Sequence, residues 1–175
     1  VVRLTQPAPV GVDRAVETVQ LLVNAYDMGG TRRGSEQMTG RVVLKPTPAG
    51  EATYEVLSRL DLDPGRYQLR LAADSSLQQK SGSVFYDIDV PDFSKSALAL
   101  SGLVVSVANG VAVAPRDKLV SLVPVVPTTE REFGSEDEAS VFLRVYQPGR
   151  NPIAPVEMTV TLVDAAEVKV VDRRE

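Results

Sequence analysis

Leu60-Asp61-Leu62-Asp63-Pro64-Gly65-Arg66-Tyr67-Gln68-Leu69-Arg70-Leu71-Ala72-Ala73 is the stretch whose reading decides the fold. Tyr67, Leu69, Leu71 and Ala73 recur at every second position, with Gln68, Arg70 and Ala72 between them. That alternation is the pattern of an antiparallel strand with one face in a core and one in water. Pro64-Gly65 supplies the turn in front, because proline fixes φ at the first turn position and glycine accepts a positive φ at the next. A tyrosine just inside a strand, behind a Leu-x-Pro-Gly entry, matches the tyrosine corner of Greek-key β-sandwiches. Its ring would cap the core, and its hydroxyl would bond upstream backbone near Asp61 to Asp63.

Around this stretch the composition points the same way. A chain of 175 residues is one large domain or two small ones, long enough to bury a core. Valine is abundant, glycine and proline number 12 each, and no long run has helical periodicity. All three favour an all-β architecture. The formal net charge of −4 argues against non-specific nucleic-acid binding, which needs a basic face. No apolar run approaches the ~20 residues that span a bilayer, so no membrane insertion is expected. The chain opens without a signal-peptide pattern and reads as a mature or excised piece. With no cysteine and no histidine, disulfides, thiolate nucleophiles, zinc–cysteine sites and histidine-based triads are all excluded.

The remaining segments read as strands and turns. Val1 to Leu4 suits a short edge strand, Gln6 to Gly11 a connector, and Ala15 to Tyr26 a strand by its β-branched content, although a helical face fits part of it. Asp27 to Gln37 is polar and predicts a mobile loop. Its Gly29-Gly30-Thr31-Arg32-Arg33-Gly34 lacks the lysine and hydroxyl offsets of a phosphate cradle. Met38 to Lys45, Thr53 to Leu60 and Ser83 to Val90 are further strands, the last with Val84, Tyr86, Ile88 and Val90 on one face. Asp74 to Gly82 is a polar hairpin loop. Residues 1 to 90 thus predict about six strands, enough for one sandwich.

Pro91 to Ser96 reads as an interdomain junction, dividing the chain into 1–92 and 93–175. Beyond it, Ala97 to Val105, Ala139 to Gln147 and Val156 to Val163 predict strands, and Asn109-Gly110 a turn. Lys118 to Val126, broken by Pro124, predicts an edge or irregular strand. Thr128 to Asp137 predicts a polar loop, Pro148 to Pro152 a turn, and Glu167 to Val171 a hairpin partner for the strand before it.

One group of side chains suggests a ligand. Asp87-x-Asp89-x-x-Asp92 lies at a strand end beside the junction, where carboxylates converging from several segments could hold calcium. The alternation of the strand already places Asp87 and Asp89 on its solvent face, so a site there needs oxygens from elsewhere. No pair of carboxylates stands out for glycosidase chemistry, and no other cofactor is expected.

Asp63 to Ala73, together with Gly82-Ser83-Val84-Phe85-Tyr86-Asp87-Ile88-Asp89-Val90-Pro91-Asp92-Phe93-Ser94-Lys95, resembles the C-terminal part of the large bacterial von Willebrand factor A-related proteins abundant in Acidobacteria. Leu98 to Val105 extends the resemblance, which covers about residues 57 to 105. It implies an exported protein, extracellular or periplasmic, in which sandwich modules of immunoglobulin or fibronectin type III kind act as spacers or contacts. The metal site of that family lies in an upstream domain whose motif is absent here, so no catalytic residue carries over.

The expectation is an all-β chain of tandem immunoglobulin-like (Greek-key) sandwiches, the second partial. Its expected work is that of a non-catalytic structural or protein-interaction module that meets a protein partner through sheet edges or loops. The alternative is a carbohydrate-binding module, against which the absence of tryptophan counts.

Overall fold

The computed structural model describes residues 1–149, 152–163 and 166–174, and its regular structure is all β apart from one 3-10 turn at Phe93–Lys95. The strands are β1 (Val2–Pro7), β2 (Ala15–Asp27), β3 (Arg32–Leu44), β4 (Glu51–Val56), β5 (Gly65–Ser75), β6 (Lys80–Val90), β7 (Ala99–Leu100), β8 (Val104–Val107), β9 (Ala112–Ala114), β10 (Ala139–Phe142), β11 (Val145–Tyr146), β12 (Thr159–Val163) and β13 (Lys169–Arg174). Among the described residues no helix is long and apolar enough to cross a membrane.

Two sheets enclose the core of the first compact unit, and β10 with β8 forms a further pair in it. One has the order β3-β2-β5-β6, antiparallel throughout, and the other has the order β1-β4-β9. Alternation turns Val19, Leu21 and Val23 of β2 and Val42 and Leu44 of β3 inward, where they meet Ala52, Tyr54 and Val56 of β4 and Ala114 of β9. Each fully buried aliphatic side chain contributes about 1.5–3 kcal/mol, so this seam between the sheets is the main stabilising element.

The opening stretch forms as expected. Tyr67 is buried in β5, and its hydroxyl donates to the Asp63 carbonyl at 2.8 Å. Gly65 has φ 155°, and a side chain there would lie against the Tyr67 ring, 3.4 Å from its hydroxyl.

Several segments differ from the sequence expectation. β1 runs on to Pro7, because Gln6 pairs with Ala52 and Ala8 donates to the Gly50 carbonyl at 2.9 Å. β3 begins at Arg32, inside the expected mobile loop. The 13-residue β2 supplies a ladder for it, and Asp27 clamps the turn by accepting from the Gly29 and Thr31 amides and from Arg33 Nε. β4 ends at Val56, short of the expected Leu60, and β5 and β6 each reach further into the supposed hairpin loop. Lys118 to Val126 forms successive turns in place of a strand, with Val120 donating to Asp117 and Leu122 to Leu119.

The structure also divides the chain differently. Residues 1–92 and 100–144 form one compact unit, and 93–99 with 145–175 the other. Residues 100–144 stay with the first unit because β9 pairs parallel with β4, Leu57 donates to the Ala114 carbonyl, and Thr128 and Thr129 donate to Glu55 of β4. In the second unit β12 and β13 form an antiparallel pair, Phe93 stacks on Tyr146 at 4.5 Å, and the Gln147 amide bonds both backbone groups of Ala154. The expected turn at Pro148 to Pro152 includes Arg150 and Asn151, which lie outside the described residues.

Tyr67→Phe removes one hydroxyl bond and nothing from the core, so it lowers stability by about 1 kcal/mol. Urea unfolding of the two chains measures this, and equal midpoints would sink the role assigned to the hydroxyl.

Candidate functional site

The carboxylate at Glu17 falls in the apolar phase of β2, two residues before Val19, and is fully buried. An ionised carboxylate there needs donors, and five atoms on three neighbouring segments supply them. Gln6 Nε2 of β1 and Ser75 Oγ of β5 donate to Oε2 at 2.8 and 2.6 Å. The Ser76 amide, Ser76 Oγ and Leu77 amide donate to Oε1 at 2.9, 3.0 and 3.4 Å. Tyr54, fully buried in β4, donates its hydroxyl to Gln6 Oε1 at 3.2 Å. Burial and the nearby Glu17 charge push the Tyr54 hydroxyl up to about 12. Burial opposes ionisation of Glu17, yet the bonds from Ser75, Gln6 and Ser76 outweigh it and hold the carboxyl below its ordinary value.

A second carboxylate, Glu55 of β4, is buried in the other sheet, on the face turned away from the seam. Its Oε1 accepts from Thr128 Oγ1, the Thr129 amide, Thr129 Oγ1 and the Arg3 guanidinium at 3.1, 2.8, 2.6 and 3.1 Å. Here too burial works against ionisation, and the donors from Thr129, Thr128 and Arg3 win, so the pKa is lowered. The expected polar loop from Thr128 to Asp137 therefore begins with a buried anchor. Glu17 is saturated on both oxygens from within the chain, and Glu55 is held through Oε1 while its Oε2 is buried without a partner among the described residues; both serve as pins, for strands and for a loop.

The open ground lies between the sheets along β1. The sheet containing β1 stops there, while the facing sheet continues through β5 to β6. The inward face of β6 consequently has no strand opposite it, and Val84 and Tyr86 are 52% and 65% exposed although they point the same way as buried Tyr67. Two adjoining cavities of about 370 and 660 Å³ share Val2, Arg3, Leu71 and Val84 in their walls and make one groove.

The residues expected to hold calcium sit elsewhere. Asp87 and Asp89 stand exposed on the outer face of β6, opposite Gln68 and Arg66 of β5. Asp92 follows the strand end, and no group of three or more ligating residues forms a metal site among the described residues. On the outer face of the same sheet Arg70 lies over the Tyr26 ring at 4.4 Å and near Phe85 at 5.6 Å. The Gly29 to Gly34 stretch is a tight turn running into a strand, with no helix behind it.

Sequence reasoning grouped Val84, Tyr86, Ile88 and Val90 correctly on one face but left open what lies opposite that face. The Glu17 pin was missed, although a glutamate in the apolar phase of a strand is itself a signal that donors must converge. Compared with protein-family models, curated proteins and solved structures, the chain finds no match.

The two pins make stability fall in acid. Their folded pKa values lie below the unfolded value of about 4.3, so their contribution is complete above it and is lost as pH drops through the folded values. Urea midpoints measured from about pH 6 to pH 3 should decline. In Glu17→Gln, which is less stable at neutral pH by about 1–3 kcal/mol, the decline should be shallower. An unchanged slope in that variant would show that Glu17 is not the titrating pin.

Proposed function

We propose that this chain is a non-catalytic structural or protein-interaction module of an exported bacterial protein, and that its first unit is an immunoglobulin-like sandwich that meets a protein partner along the groove beside β1. Support for the fold comes from the strand order β3-β2-β5-β6 facing β1-β4, with the tyrosine corner on the connection from β4 to β5. The observation that carries the interaction reading is the groove itself. It places exposed Val84 and Tyr86 between two sheet edges, and apolar surface flanked by unpaired strands favours a protein over a small polar substrate. Glu17 and Glu55, the two fully buried carboxylates among the described residues, are held ionised by structural donors, which supports a non-catalytic role. Export, to the periplasm or the cell exterior, rests on the resemblance of residues 57 to 105. The sugar-binding alternative is weakened by Arg70, which occupies the faces of Tyr26 and Phe85 that a sugar would stack on.

Photo-crosslinking in producing cells tests this reading. A benzophenone amino acid replacing Val84 in the groove should give discrete protein adducts. The same group replacing Arg41, exposed on β3, should give few. Equal labelling at both positions would refute the groove as the contact surface.

A further inference from the structure

The groove has the properties of a receptor for one extended strand, and this step rests on the interaction reading above. The phase of the β1–β4 ladder follows from the Ala8 amide, which donates to Gly50 in continuation of the pairs Gln6–Ala52, Leu4–Tyr54 and Val2–Val56. In an antiparallel ladder alternate residues bond the partner strand, so the backbone groups of Arg3 and Thr5 point away from β4, toward the open side. Among the described residues no strand lies beyond β1 in its sheet, and no turn or loop bonds its edge. Unpaired backbone groups in a row, otherwise met by water, are a ready template for another strand.

The floor agrees with the edge. A strand laid beside β1 covers the inward face of β6, and its side chains, alternating at period two, drop onto Val84, Tyr86 and Leu71 on one side only. Charge narrows the occupant further. Arg3, Arg59 and Lys80 line the groove and no carboxylate does. Arg3 is paired with Glu55 and Glu130, and Arg59 with Asp61, while Lys80 stands exposed at one end. In a second copy of this chain β6, with Asp87 and Asp89, already turns its apolar face into its own groove, and β12 is already paired with β13 on one edge.

We infer that the groove accepts a single β-strand from a partner protein, paired to the Arg3 and Thr5 edge of β1, apolar at alternate positions and acidic where it passes Lys80. The strand would complete the three-stranded sheet and close the core over β6.

The probe is a soluble peptide of alternating valine and threonine between terminal glutamates, titrated into the millimolar range against the isotope-labelled full chain, with a lysine-ended version as control. Saturable binding should slow amide exchange at Arg3 and Thr5 at least tenfold and leave Leu4, already bonded to β4, unchanged. The glutamate peptide should bind several-fold more tightly than the lysine peptide. Val84→Glu should weaken binding at least tenfold with an unchanged unfolding midpoint, because the side chain is exposed. Thr5→Pro, which removes one edge donor, should weaken it as well.

Absence of peptide protection at Arg3 and Thr5 would overturn the strand proposal, and equal binding of both peptides would overturn its acidic part. Protection that appears without peptide and rises with protein concentration would replace the partner strand by a second copy. The two levels separate cleanly. Adducts at position 84 with no peptide binding refute the strand and leave the interaction reading standing, whereas absence of both refutes the two together.

Discussion

The buried carboxylate of Glu17 is the interaction on which the arrangement of the first unit depends. It belongs to β2 in one sheet and is held by Gln6 of β1 in the other, while Ser75 and Ser76 bring the end of β5 to the same oxygens. Tyr54 of β4 completes the set through Gln6, so one charge ties four strands from both sheets. Hydrophobic burial is non-directional and would tolerate a shifted stacking of the sheets. A carboxylate buried without its donors would cost far more than any gain from slippage, so this network fixes the register that the apolar seam leaves loose. The tyrosine corner does the corresponding work at the start of β5, tying the strand entry to the Asp63 carbonyl.

Glu55 explains why residues 100–144 do not leave the first unit. β4 is buried on both faces, with Tyr54 and Val56 turned to the seam and Glu55 to the other side. Something must cover that second face, and the Thr128-Thr129 segment does so with three donors to one oxygen. Arg3 reaches the same oxygen from β1, which holds the edge strand against its neighbour from outside as Gln6 does from inside. The free edge of β1 is therefore presented by a strand pinned on both of its faces. Rigidity of that kind reduces the ordering cost a bound strand would meet.

Much of this was legible in the residues. Period-two alternation located β5 and β6, β-branched content tipped β2 to strand, and Pro64-Gly65-Arg66-Tyr67 announced the corner down to the upstream carbonyl its hydroxyl reaches. Strand ends were less legible, because Arg32 to Gln37 is polar and became strand only through the length of β2 beside it. The domain division depended on contacts between residues far apart in the chain, such as Glu55 with Thr129, and no local pattern announces those. The groove was hidden for a related reason. Alternation tells which residues of β6 share a face, but whether another strand covers that face is settled by how many strands the opposite sheet contains.

An uncovered core face next to a free edge is a hazard that folded proteins ordinarily suppress, since such edges pair indiscriminately. The first unit carries some protection. Pro7 ends the edge without a donor, Arg3 and Lys80 place charge along it, and Gly82 leaves the start of β6 without a side chain to grip. These features limit pairing to a short stretch of one sign of charge, which selects among strands without forbidding all of them. The energetics set the expected strength. Val84 and Tyr86 are already partly covered, so closing over the remainder contributes about 1–2 kcal/mol for each side chain, and each new backbone bond adds about 0.5–1.5 kcal/mol. Association costs from about 4 to more than 15 kcal/mol, so an isolated strand is held weakly on these contacts alone. Tethering changes that balance, because a strand delivered on a chain already bound nearby acts at an effective concentration in the millimolar range. A groove of this shape is therefore suited to closing the last contact of an assembly whose components are already side by side, more than to capturing a free peptide from dilute solution.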